Sequence, residues 1–187
     1  DVDTCLSSFE RCRCTKDDNA TSCFPYYRFE VLELSTELRA SMTGLSWREG
    51  CPMPLDDLRL VRLLHWTPKN SIQWGEMVVD HALAEEVADI FAEIYEMKFP
   101  IHKMEPVYLY EANDRKSMEA NNSSAFNCRK VGGTEAWSEH SYGRAIDINP
   151  FWNPWVRGEK VDPPSAGAFR DRAVKQPGMI NADDGVT

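Results

Sequence analysis

The segment Ser138-Glu139-His140-Ser141-Tyr142-Gly143-Arg144-Ala145-Ile146-Asp147 sets an imidazole and a carboxylate seven residues apart, with one glycine between them. A neutral imidazole nitrogen and a carboxylate oxygen are donors that suit a first-row divalent ion such as Zn2+, at about 2.0–2.2 Å. Gly143 permits a tight backbone path between the two donors. Ala145 lies two residues before Asp147, on the same face of an extended segment, where its small side chain leaves room for a water and a substrate carbonyl. Spacing alone does not separate this pair from a His and an Asp that hold no metal. The other histidines, His65, His81 and His102, lie upstream and read as a strand-end residue, a helix first-turn residue and a loop residue.

Cysteine is the second residue type that could do chemistry. Cys5, Cys12, Cys14 and Cys23 crowd into the first 23 residues, whereas Cys51 and Cys128 stand apart. The N-terminal group contains no Cys-x2-Cys pair and no nearby His, so its spacing fits a zinc knuckle poorly. The polar stretch Thr15-Lys16-Asp17-Asp18-Asn19 supplies little core, which makes two disulfides the expected source of order there, with three connectivities open. Cys51 and Cys128 are then left to pair across the main domain. Six free thiols in a reducing compartment is the alternative. A chain beginning at Asp1, directly before a cysteine-rich segment, reads as a processed secreted or periplasmic protein. Asn19, Asn121 and Asn122 each head a glycosylation sequon.

Composition narrows the function classes. Across 187 residues, 42% hydrophobic and 27% charged side chains exclude general disorder and support one sizeable core. A formal charge of −9 argues against a partner such as nucleic acid, which is bound mainly through clustered Lys and Arg. No apolar run approaches the ~20 residues of a membrane-spanning helix. Oligomeric state is left open.

The elements that must position the donors follow from hydrophobic periodicity. After a cysteine-rich lead over residues 1–27, the spacing of Leu34, Leu38, Met42 and Leu45 predicts a helix running from Phe29, stopped by Gly44. Trp47 to Asp57 reads as loop and Leu58 to Trp66 as a strand. A turn over 67–75 and a short strand at Met77-Val78-Val79 follow. Asp80 caps the clearest helix, whose stripe is Leu83, Val87, Ile90, Phe91, Ile94 and Met97 and which Pro100 ends. Val107 to Tyr110 reads as a strand, and Asp114 to Asn122 as holding a helical turn. The Arg144–Asn149 stretch alternates, with Ile146 and Ile148 on one face and Asp147 on the other. Strands and helices mix without a βαβ rhythm, so the expected class is α+β.

The ten-residue segment resembles the signature of the VanY-type D-alanyl-D-alanine carboxypeptidases, the zinc peptidase family that includes phage L-alanyl-D-glutamate endolysins. The likeness extends through Ser117-Met118-Glu119-Ala120-Asn121-Asn122-Ser123-Ser124-Ala125-Phe126-Asn127-Cys128-Arg129 and through Asp147-Ile148-Asn149-Pro150-Phe151-Trp152-Asn153-Pro154. Trp47…Cys51-Pro52 and the Gly75-Glu76…Phe99-Pro100-Ile101 block also fit the extracellular branch of that family, and only the cysteine-rich lead falls outside. The resemblance implies a small antiparallel sheet flanked by helices, in the Hedgehog/D-Ala-D-Ala peptidase-like zinc fold, over residues 28–187.

It further implies Zn2+ as cofactor, with His140 and Asp147 as two of its ligands, and a peptidoglycan stem peptide as substrate. Arg129 is the first candidate for a catalytic cation that stabilises an oxyanion or grips a substrate carboxylate, with Arg115 its rival. Ser138 is expected near the metal or bonded to backbone. Arg144 is expected to be structural, and Asn149-Pro150 with Trp152 and Trp155 to shape the rim. A Cys51–Cys128 bridge would support the active-site floor. The family's third ligand, a His in an Asp/Glu-x-x-His motif, and its usual Trp-Gly-Gly-x-Trp stretch have no counterpart here, so the expected domain is incomplete at its C-terminus. Two rival functions stay open: an L-Ala-D-Glu endopeptidase, and a non-catalytic binding or signalling module on a degenerate peptidase scaffold.

Overall fold

A computed structural model of the chain describes residues 12–17, 20–173, 175–182 and 186. The central element is a three-stranded antiparallel sheet of β3 (Phe29–Glu33), β4 (Leu58–Trp66) and β5 (Ile72–Asp80), in the order β3-β4-β5. Both long strands carry runs of Leu, Val and Met that are buried over much of their length. One face, through Val61, Leu63, Met77 and Val79, packs on Val87, Phe91 and Ile94 of helix α2 (Ala84–Glu96). On the other face Leu58 and Val78 pack with Leu34, Met42, Phe126 and Cys128. Each such side chain removed from water contributes about 1.5–3 kcal/mol, so the sheet is held from both sides. A hairpin of β1 (Cys12–Asp17) and β2 (Ala20–Pro25) precedes it, and Phe24 packs on Leu64, Trp66 and Tyr95. The fold is a mixed α and β arrangement of small, mainly antiparallel sheets and short helices, as the α+β expectation has it.

Several local expectations change. The stretch from Phe29 is a strand and not a helix: Phe29 pairs with Leu63 and Glu33 with Arg59, while Arg62 clamps Glu30 and Glu76 across the sheet at 2.6 and 2.9 Å. Helix α1 (Thr36–Met42) starts only after Ser35, whose side chain accepts a hydrogen bond from Leu38 N. Val107–Tyr110 is a 3-10 turn and not a strand, because Pro106 enters it and Glu111 and Ala112 leave it at φ of 58° and 55°. Asp80 caps the 3-10 turn His81–Leu83 that leads into α2, accepting from Ala82 N, whereas the cap position of α2 itself is Leu83, without a side-chain bond; Ile90 and Met97 of the expected stripe are exposed and Tyr95 is buried instead. The second long strand begins at Ile72, shortening the expected 67–75 turn. Helix α3 (Asp114–Glu119) forms within the expected Asp114–Asn122 stretch. The sequons at Asn121 and Asn122 are closed off, since both residues are buried and Asn122 is 0% exposed.

Cys51 and Cys128 form a disulfide, with Cα atoms 6.0 Å apart. Cys23 is disulfide-bonded as well; the pairing of Cys5, Cys12 and Cys14 lies outside the described residues.

His65, expected at a strand end, is sealed in the core at 1% exposure, with Nδ1 against Trp66 O at 3.1 Å and Nε2 facing Gln73 Nε2 at 3.4 Å. Gly75 makes room for it: a Cβ there would stand 2.7 Å from Met104 Cβ and 3.0 Å from His65 Cδ2. Burial holds the His65 imidazolium below its ordinary range, against hydrogen bonds to backbone carbonyls that favour it. The unfolded chain therefore takes up a proton first. Stability contributed by neutral His65 is complete above the unfolded value of about 6.5 and is lost as pH falls below it, by at most about 1.4 kcal/mol per pH unit. Urea midpoints at pH 7.5 and pH 5.0 check this. The drop between them is expected to shrink in His65→Gln, and an equal drop in both proteins would refute it.

Candidate active site

Two irregular segments, 124–130 and 137–147, run antiparallel and carry the candidate residues on facing strands. Ser124 and Asp147 exchange backbone hydrogen bonds at 3.1 and 2.9 Å, Asn127 N donates to His140 O at 3.0 Å, and Ser138 N donates to Arg129 O at 3.1 Å. The Arg144–Asn149 stretch is thus not a regular strand: only Asp147 pairs, and Asn149, at φ 43°, turns the chain away. Ile146 and Ile148 do pack together on the first core cluster, as the alternation implies.

His140 sits on a 3-10 turn, Glu139–Tyr142. Ser138 opens the turn, its Oγ accepting from His140 N, so its visible role is the backbone-bonding one. Gly143 closes the turn at φ +68°, with its carbonyl accepting from Asp80 N at 3.1 Å. A Cβ on Gly143 would lie 2.5 Å from Asp80 N and 2.9 Å from Val79 C, so glycine is required both by conformation and by the closeness of β5. Arg144 reaches back to the buried Asp80 carboxylate at 3.0 Å, a structural pair that ties the same turn to the start of α2.

His140 Nδ1 stands 2.7 Å from Ala125 O, and since a carbonyl only accepts, Nδ1 is the donor and Nε2 is the nitrogen that carries the lone pair in the neutral ring. That nitrogen lies 3.4 Å from Asp147 Oδ2. The His140 side chain is 14% exposed and that of Asp147 41%, so the pair is embedded yet open to a solute from the Asp147 side. Burial among protein atoms pushes the Asp147 carboxyl upward, the charges of His140 and Arg129 pull it down, and Asp114 pushes it up again. A cation between the two donors would favour the ionised form.

Arg129 belongs to this cluster and Arg115 does not: Arg115 Nη2 is turned to Asp162 Oδ1 of the short strand Lys160–Asp162, at 3.6 Å. The Arg129 backbone is pinned on both sides by the buried Ser141 hydroxyl, which accepts from Arg129 N at 2.9 Å and donates to Arg129 O at 2.7 Å. Its guanidinium Nε presses against Asp114 Oδ2. Asp114 Oδ1 in turn accepts from Asn127 Nδ2 at 2.7 Å. Sequence reasoning missed Asp114, Asn127 and Ser141. The motif positions of Asn127, two residues before Arg129, and of Ser141, next to His140, could have pointed to those two, whereas nothing local pointed to Asp114.

Below the pair, Asn149 is fully buried and joins three segments. Its Oδ1 accepts from His102 N at 2.8 Å, and its Nδ2 donates to Pro100 O and Gly178 O at 2.9 and 3.0 Å. Trp152 packs edge-on against His102, whereas Trp155 is 53% exposed. A depression of about 430 Å3 opens beside Asp147, lined also by Ile146, Ile148, Pro150, Asn153 and Arg172. No helix among the described residues is long and apolar enough to cross a membrane.

Residues 132–181 match the family model described as D-alanyl-D-alanine carboxypeptidase. The matched stretch contains His140, Asp147 and Asn149, and excludes Asp114 and Arg129. No curated protein and no solved structure matches the chain.

Proposed function

We propose that the chain is a zinc-dependent peptidase domain of carboxypeptidase type, acting on D-alanine-containing peptidoglycan stem peptides in a secreted or periplasmic setting. The observation that carries this reading is the His140 Nε2–Asp147 Oδ2 pair, 3.4 Å apart, inside the stretch matched by the carboxypeptidase family model. Two donors on one tetrahedral ion at about 2.0–2.1 Å lie about 3.3 Å apart, so the pair suits Zn2+. The Ala125 carbonyl accepts from Nδ1, a contact of the kind that would orient a zinc-bound imidazole. Zinc held by His140 and Asp147 would supply Lewis-acid polarisation and a water of lowered pKa. The chain's own residues bind and orient. Arg129, fixed at Nε by Asp114, makes no hydrogen bond through its terminal nitrogens among the described residues and can receive an oxyanion or a substrate carboxylate. The Cys51–Cys128 bridge supports an oxidising compartment.

Zinc titration of the metal-free protein, followed by an assay of D-alanine release from a D-alanyl-D-alanine-terminated stem peptide, tests this. One equivalent of zinc should bind. His140→Ala and Asp147→Ala should each weaken it by about 100-fold or more, since even an outer-shell partner is worth 10–100-fold. Release of D-alanine should require zinc. Cleavage between L-Ala and D-Glu instead would identify the endopeptidase. Zinc binding without hydrolysis would select the non-catalytic binding module, a reading favoured by one observation: among the described residues no third His, Cys, Asp or Glu joins the pair. Failure to bind zinc would overturn both.

A further inference from the structure

We infer that Asp114 is the positioning residue of Arg129, a carboxylate that fixes the guanidinium beside the His140–Asp147 pair before any ligand arrives. Arg129 Nε is shielded from solvent and is ion-paired with the carboxylate of Asp114. Asp114 is itself immobilised: it lies in the first turn of α3 after the cap Asn113, and its other oxygen accepts from Asn127 Nδ2. Asn127 is 2% exposed, donates from its side chain also to Ala112 O at 3.3 Å, and bonds through its backbone to His140 O. One connected frame therefore runs from the His140 main chain through Asn127 and Asp114 to the guanidinium. Arg129 N donates to Ser141 Oγ and Arg129 O accepts from Ser138 N, on either side of His140, which sets the backbone of the framed arginine beside the candidate metal donors.

The physical consequence is preorganisation. A free Arg side chain explores many rotamers, and ordering it on binding costs affinity or rate. Here one edge of the fork is spent on Asp114 and the backbone is locked by Ser141, so the terminal nitrogens are offered in a fixed direction. A carboxylate at the start of α3 would also favour that helix. That role alone would leave Arg129 untouched, which separates the two explanations. The catalytic consequence of the positioning rests on the peptidase reading; the positioning does not.

The test is the arginine Nε–H resonance in the full chain by 15N NMR, with the Arg129 signal assigned by its loss in Arg129→Lys. In Asp114→Asn it should shift, and its exchange with solvent should quicken about tenfold or more. The Nε–H of Arg39, bonded to Leu34 O, should not change. In Asp114→Glu, which keeps the charge but moves the carboxylate, the shift should be intermediate, and this variant decides the matter if Asp114→Asn does not fold. An Arg129 signal unchanged in the variants overturns the proposal, whether or not the protein hydrolyses anything. Where wild-type protein releases D-alanine, Asp114→Asn should lower kcat by about 10–100-fold with a smaller change in KM, and an unchanged kcat overturns the catalytic consequence. Absence of release in the wild type counts against the peptidase reading alone, and the Arg129 signal then decides the positioning.

Discussion

Replacing Cys51 and Cys128 together by alanine is expected to lower the melting temperature by roughly 10–15 °C. The bridge closes a loop of 77 residues. Denying that loop its freedom in the unfolded chain is worth about 4.5 kcal/mol by loop-closure entropy, a large share of the ~5–15 kcal/mol that holds a domain together. For a chain of this size each kcal/mol moves the midpoint by about 2–4 °C. The effect should extend to the site, because Cys128 immediately precedes Arg129 and packs with Phe126 and Trp137 in the second core cluster. Lys130, with Nζ 4.0 Å from the Trp137 ring centroid, covers that packing from outside. Thermal unfolding of the wild type with and without reductant, beside the double variant, checks this. A drop under about 3 °C would show that the bridge constrains little.

Gly143→Ala should be nearly as damaging, and should damage the site directly. The residue needs a left-handed backbone, which costs a non-glycine residue about 1–2 kcal/mol. The added methyl would also stand 2.5 Å from the backbone nitrogen of Asp80 and 2.9 Å from the Val79 carbonyl carbon. Neither neighbour is the movable tip of a side chain, so the turn must retreat from β5 and lose its hydrogen bond to Asp80 N. Overpacking of this kind adds about 1–3 kcal/mol, for a total of about 2–5 kcal/mol. His140, three residues earlier on the same turn, would move with it. Urea unfolding should show the loss, and zinc titration should show weaker binding even under conditions where the variant is folded. Wild-type stability and zinc affinity in Gly143→Ala would sink the account.

The long strand Leu58–Trp66, the helix after Asp80 and the helical turn within Asp114–Asn122 were legible because each is specified by neighbours in the chain: a run of Leu and Val, an amphipathic stripe, a short polar stretch. Phe29–Glu33 reads as helix only because the helical spacing of Leu34, Leu38, Met42 and Leu45 follows it directly, whereas pairing to Arg59–Leu63, about 30 residues away, decides its conformation. Val107–Tyr110 has strand composition, but Pro106 and two residues at positive φ bend it into a turn. In the site, the His140–Asp147 spacing was visible as a motif and Arg129 as a candidate, while Asp114 was read only as part of a helix. A carboxylate 15 positions before its guanidinium partner leaves no periodic trace in a sequence.

By itself the sequence determined the candidate site groups and their type: imidazole, carboxylate and guanidinium, the glycine between the first two, and an even set of cysteines that leaves Cys51 for Cys128. These are matters of composition and local spacing, which a chain carries whether or not it is folded. Only the tertiary structure decided which arginine stands at the site, which imidazole nitrogen is free, and why Gly143 must be glycine. Each of those depends on a contact across the fold, of Arg129 with Asp114, of His140 with the Ala125 carbonyl, of Gly143 with the backbone of Asp80. Such contacts are set by how the two irregular segments pack between β5 and α3, because hydrogen bonds and steric limits act over a few ångströms of space and not along the chain.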